Sequence, residues 1–142
     1  MTGDLKRRDL AAYPWSVEVP TRFGDLDLNA HLNNVAIANL YEEGRVRFNH
    51  HLRRAHAIGR PRFLVARVEI DYLAEAHYPA PVTLAAAVTA LGRTSWRIAL
   101  GLFQKGECRG LCDTVMVHRG DAGPSPLPEP LRAALGEYGL RA

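Results

Sequence analysis

The chain has 142 residues, a net charge of +3 and 47% hydrophobic residues. This length fits one domain with a single core, and the ordinary hydrophobic content excludes a disordered or fibrous chain. No run of ~18 apolar residues is present to form a transmembrane helix, and the basic start MTGDLKRRDLAAYPW lacks the apolar segment of a secretory signal, so a cytoplasmic location is the default expectation.

Residues 1–14 are polar and are expected to fray, up to the Tyr13-Pro14 break. Trp15 to Phe23 alternates as a strand, with Val17 and Val19 on one face and Pro20 favouring an edge. A polar loop, Gly24 to Leu32, follows. Asn33 is a good N-cap, and a helix is predicted from Asn34 to about Ala55. Its apolar stripe is Ile37, Leu40, Tyr41, Gly44, Phe48, His51 and Leu52, at steps of three and four.

Four strands are predicted next. Phe63–Leu73 alternates, with Leu64, Ala66, Val68, Ile70 and Tyr72 facing one way and Arg67, Glu69 and Asp71 the other. Val82–Leu91 is joined to the next strand by Gly92-Arg93. Ser95–Gln104 sends Trp96, Ile98, Leu100 and Leu102 to one face, and Lys105-Gly106-Glu107 turns the chain into a last strand, Arg109–His118. Residues 120–142 read as a Pro-rich connector and a short helix over Leu131–Leu135. One strand, one long helix and four antiparallel strands make an α+β domain, a sheet curled around a single helix, spanning the whole of 1–142.

The arginines are scattered and do not interleave with aromatics, so a nucleic-acid platform is not expected, whereas a small anionic ligand fits. Cys108 and Cys112 are the only cysteines. Four residues of strand span roughly 13 Å, too far for a disulfide. His50, His51 and His56 invite a metal reading, but His50 and His51 point about 100° apart on a helix, so no metal is expected. Arg53, Arg54, Arg60 and Arg62 read as a solvated basic patch.

The chemistry concentrates in the polar loop. Asp25, Asp27, Asn29, His31, Asn33 and Asn34 lie immediately before or at a helix start, whose first N–H groups have no partners inside the helix. Such groups can hold the charge that develops on a carbonyl oxygen, and a nearby carboxylate can activate water or attack. Read as residues alone, the acids and asparagines fit simple turn formers equally well. No G-x-S-x-G elbow is present, and neither cysteine has a nucleophile signature.

The run Asp25-Leu26-Asp27-Leu28-Asn29-Ala30-His31-Leu32-Asn33-Asn34, followed by Tyr41-Glu42-Glu43-Gly44-Arg45 and Phe48, resembles the hotdog-fold thioesterases related to 4-hydroxybenzoyl-CoA thioesterase. It is also similar to plant acyl-acyl carrier protein thioesterases. The resemblance implies a hotdog fold and hydrolysis of an acyl-CoA to free acid and CoA, with no cofactor beyond the CoA thioester substrate. It assigns Asp27 as nucleophile or general base, the backbone N–H of Asn34 as the carbonyl-polarising donor, and Asn29 and His31 as catalytic or supporting groups. It further implies a homodimer or homotetramer with the site between subunits, to which Glu43 and the turn Arg93-Thr94-Ser95 would contribute, the turn near the phosphates. Ala30 departs from the family, which usually has Gly there; if that position needs positive φ, Ala30 strains the loop. A carrier-protein thioesterase, an acyl-thioester dehydratase and a non-catalytic acyl-CoA binding module are the alternatives.

Overall fold

The computed structural model describes residues 5–141. In chain order the elements are β1 (Trp15–Val19), α1 (Asn34–Ala55), β2 (Phe63–Tyr72), β3 (Val82–Leu91), β4 (Ser95–Gln104), β5 (Glu107–Gly120), the two-residue β6 (Gly123–Pro124) and α2 (Glu129–Leu135). The main strands form one antiparallel sheet in the order β1-β3-β4-β5-β2, with β6 added on β5. This is the expected arrangement, a curled antiparallel sheet packed on one long helix: the hotdog fold.

Helix α1 starts where Asn33 caps it, the Asn33 carboxamide oxygen accepting the Ala36 N–H at 2.7 Å. Its buried side is Ala36, Ile37, Leu40, Tyr41, Gly44, Arg45, Phe48, Asn49 and Leu52, the predicted stripe with Ala36, Arg45 and Asn49 added and His51 only half-buried. A Cβ on Gly44 would sit 3.1 Å from the Leu84 Cβ, so glycine lets the helix close on β3. The period-two pattern of the strands divides the core. Leu84, Ala86 and Val88 of β3, Trp96, Ile98, Leu100 and Leu102 of β4, and Cys112 and Met116 of β5 face the helix side. Ala85, Ala87 and Phe103 face outward and are covered by Tyr13.

Two expectations need correction. Residues 5–14 do not fray: Leu5–Arg8 and Leu10–Ala12 are 3-10 turns, and Arg7, Ala12 and Tyr13 are buried. Residues 1–4 of that segment lie outside the described residues. The alternation of β2 is also broken, by a bulge between Val65 and Arg67 that makes Ala66 an extra residue. Val65 and Val68 therefore pair opposite Met116 and Thr114, and Leu64 moves to the face of Arg67, Glu69 and Asp71. Helix α1 rests on β1, β3 and β4. The helix side of edge strand β2 thus overhangs, leaving Val65, Val68 and Tyr72 42%, 44% and 52% exposed.

The C-terminal segment belongs to the core. Helix α2 starts two residues before the predicted span and buries Leu131, Ala134 and Leu135. Tyr138 packs its ring on Phe48, and its hydroxyl lies 2.9 Å from His51 Nε2 and 3.0 Å from His56 Nε2. Two of the three histidines thus converge on a phenol. Among the described residues no helix is long and apolar enough to cross a membrane.

Candidate active site

The loop before α1 is fixed by its own polar groups. Asp25 ends a 3-10 turn (Phe23–Asp25), its carboxylate held by the Arg22 guanidinium at 2.9 and 3.2 Å. The Asp25 carbonyl accepts both the backbone N–H and the side-chain N–H of Asn33, each at 2.9 Å, which ties the loop to the cap. Leu26 and Leu32 then bridge as the base of a tight hairpin. Within it the Asp27 N–H donates to the His31 carbonyl at 2.9 Å, and the Ala30 N–H to the Asp27 carbonyl at 3.0 Å.

Asp27 acts as a turn former and also faces a cavity. Its Oδ1 accepts the N–H groups of Asn29 (2.8 Å) and His31 (3.2 Å), while Oδ2 has no donor among the described residues. The cleft beside it is about 560 Å³ and is lined by Asp27, His31 and Asn34 from the loop and helix start. Tyr41 comes from the helix, Tyr72, Leu102, Arg109 and Gly110 from the sheet, and Leu73 to Ala76 from the segment that follows β2. The amides of Asn34 and Val35, at the first two helical positions, have no carbonyl one turn behind them to receive them. A carboxylate oxygen and a helix N-terminus therefore border one half-apolar cavity. That arrangement suits activation of water, or direct attack, at a polarised carbonyl.

Ala30 sits at φ +62, the left-handed region that the glycine of the resembled motif would occupy without cost. Ala30→Gly should stabilise the protein by about 1 kcal/mol, because a Cβ in this region costs roughly 1–2 kcal/mol and the gain is partly offset by backbone entropy. Urea unfolding of the two proteins measures it, and a loss of stability would mean the turn is not strained.

The residue model of the thioesterase-like superfamily matches residues 21–135 of the sequence. The chain belongs to the thioesterase-like superfamily. A thioesterase from Thermus thermophilus, solved with coenzyme A and zinc, is 31% identical over 89% of this chain and 95% of its own, with a TM-score of 0.76. A predicted thioesterase from Bacillus stearothermophilus is 25% identical over 90% and 98%, with a TM-score of 0.79. A Pseudomonas aeruginosa protein is 25% identical over 95% and 99%, with a TM-score of 0.80. No curated protein matches the sequence.

Not every residue singled out in this superfamily member's sequence reaches the cleft. Asn29 is exposed and contributes its backbone N–H to Asp27 rather than a lining side chain. Asp25 and Glu43 border a separate groove, and Glu43 pairs with Arg47 at 2.7 Å. Ser95 pairs opposite Val117, whereas Leu102, in the cleft wall, pairs opposite Gly110. Those seven strand residues place the Arg93-Thr94-Ser95 turn roughly 23 Å from the cleft along β4. This turn packs instead on the C-terminal connector, the Arg93 carbonyl accepting the Leu127 N–H at 2.9 Å.

Sequence reasoning missed the far wall. Glu75, between β2 and β3, lies 3.1 Å from His31 Nε2 through its Oε2, and the Leu32 N–H donates to the Ala76 carbonyl at 2.9 Å. The Arg109 guanidinium donates to the Glu75 carbonyl at 2.5 Å. No local spacing signals a partner that is 44 residues away; only the sheet register brings it to the loop.

Proposed function

We propose that the protein hydrolyses acyl-CoA thioesters, adding water across the C–S bond to release a carboxylic acid and the free thiol of CoA. The observation that carries this reading is the cleft in which Asp27 and the N-terminus of α1 border one cavity. In it the Asn34 N–H polarises the thioester carbonyl, worth roughly 2.7–4 kcal/mol per donor in such sites. Asp27 activates water or attacks the carbonyl itself, and His31 and Asn29 support the loop. The proposed reaction uses no metal and no cofactor beyond the CoA of the substrate, and we assign it to the cytoplasm. Thiol release from a panel of acyl-CoA substrates tests the reading. Binding of CoA thioesters without thiol release would make the protein a binding module instead.

The His31–Glu75 pair favours one second reading, because an imidazole beside a carboxylate is a competent general base. A histidine-led enzyme of this architecture would hydrate or dehydrate an acyl thioester. Product analysis with an enoyl-CoA separates the two, hydration leaving the thioester intact.

We further propose a homodimer, able to stack into a tetramer, with the site completed across the interface. The overhanging apolar face of edge strand β2 supports this, since an unpaired edge and exposed apolar residues both favour a second copy. Sedimentation should give a dimer at micromolar concentration, and an active monomer would overturn it. Through such an interface the Arg93-Thr94-Ser95 turn and Glu43 could serve a neighbouring cleft. Arg93 is exposed. Arg93→Ala should therefore raise KM for acyl-CoA more than it lowers kcat, because phosphate contacts are shared by ground and transition states. The effect should shrink with salt. A collapse of kcat at unchanged KM would contradict a phosphate role.

A further inference from the structure

One group on the cleft wall has no use in hydrolysis. Tyr41 is fully buried at 0% exposure, lines the cleft with Leu102 and Gly110, and its hydroxyl has no hydrogen-bond partner among the described residues. The hydroxyl lies 2.7 Å from where a Cβ on Gly110 would be, so the missing side chain at 110 makes the room it occupies. Burial holds the phenol well above its ordinary pKa, which keeps the O–H a donor at neutral pH. Buried donors of this kind are normally satisfied, by protein, water or a ligand. The apolar part of the lining, Leu32, Ile37, Leu73, Ala76 and Leu102, offers no acceptor side chain, and none of the polar lining residues bonds the hydroxyl.

We propose that the Tyr41 hydroxyl is a specificity-determining donor to an oxygen carried on the acyl group, so that the cleft prefers acyl chains tipped with a hydroxyl or keto group over plain alkyl chains. This rests on the reading of the cleft as a thioester site and deepens it. Tyr41 follows Asn34 by seven residues, about 10 Å of helical rise. Helical side chains lean back toward the N-terminus, so its hydroxyl is roughly 5–10 Å from the carbonyl held at Asn34. A chain the length of hexanoyl spans that interval. A plain chain leaves the O–H unpaired against methylene groups, whereas a terminal oxygen pairs it.

The test compares hexanoyl-CoA with 6-hydroxyhexanoyl-CoA in the wild type and in Tyr41→Phe. The wild type should favour the hydroxylated substrate by roughly 3- to 10-fold in kcat/KM, and Tyr41→Phe should bring the ratio to about 1. Equal kcat/KM in the wild type, or a preference that survives in Tyr41→Phe, overturns the inference. Tyr41→Phe should also keep or raise the ligand-free Tm, since it removes an unpaired buried hydroxyl; a clear fall in Tm means the hydroxyl is already satisfied and equally overturns it. Turnover of neither substrate defeats the hydrolase reading instead. The thermal shift by 6-hydroxyhexanoate against hexanoate then decides the Tyr41 inference, with equal shifts counting against it.

Discussion

Arg7→Ala should destabilise the protein by about 3 kcal/mol in chemical denaturation. Arg7 is buried, and its Nη1 donates to both carboxylate oxygens of Asp113 at 3.0 and 2.9 Å. Its Nη2 donates to the carbonyls of Leu100 and Cys112 at 3.4 and 3.2 Å, spanning β4 and β5. The Arg7 carbonyl in turn accepts the Tyr13 hydroxyl at 2.7 Å, and the Tyr13 ring packs on Phe103 at a centroid distance of 5.9 Å. Losing the guanidinium strands the Asp113 carboxylate and loosens the cover of the outer face. Asp113 keeps some contact with water, its side chain being 18% exposed, which places the cost at the low end for a broken buried pair. The double variant Arg7→Met, Asp113→Leu should recover most of the loss, because an apolar pair of similar volume can replace a buried ion pair. A cost under about 0.5 kcal/mol, typical of exposed pairs, would mean that residues 5–13 dock only loosely.

That segment shows where the sequence stops being legible. LKRRDLAAY reads as a polar, basic tail because its burial depends on one arginine finding a carboxylate 106 residues away, and periodicity carries no trace of such a pair. The helix was legible for the opposite reason: the Asn33 cap and the apolar stripe are both local signals. Strand β4 was equally plain, with Trp96, Ile98, Leu100 and Leu102 alternating without interruption. Strand β2 was misread before the bulge, at Leu64 to Ala66, since the extra residue at Ala66 flips the parity there and FLVAR contains no glycine or proline to announce it, whereas Val68, Ile70 and Tyr72 share one face as expected. In the site, the loop side was legible because capping and turn chemistry are written in neighbouring residues. The wall carrying Glu75 and Arg109 was not, being set by the β2–β5 register. The two acids of the loop also separate more than extended backbone implies, because the 3-10 turn at Phe23–Asp25 commits Asp25 to Arg22 and the Asn33 cap.

Asp27→Asn should lower kcat at least 10²-fold while leaving folding and CoA binding intact, general-base loss alone being worth about 10²–10⁴-fold. The substitution is a fair test because the carboxamide oxygen of asparagine can still accept the Asn29 and His31 N–H groups that Oδ1 receives at 2.8 and 3.2 Å. The turn, its bridge to Leu32 and the helix cap then persist. What disappears is the negative charge and the second oxygen, the features that a nucleophile or base requires. Asp25→Asn is the matched control: its carboxylate answers to Arg22 and borders another groove, so its loss should cost little beyond loop geometry. Single-turnover thiol release separates chemistry from product release in both variants. His31→Ala completes the set, because the imidazole and Glu75 form the one competing base on this wall. Near-normal turnover in Asp27→Asn together with none in His31→Ala would transfer the base to His31. Asp27 would then be left as the residue that shapes the turn.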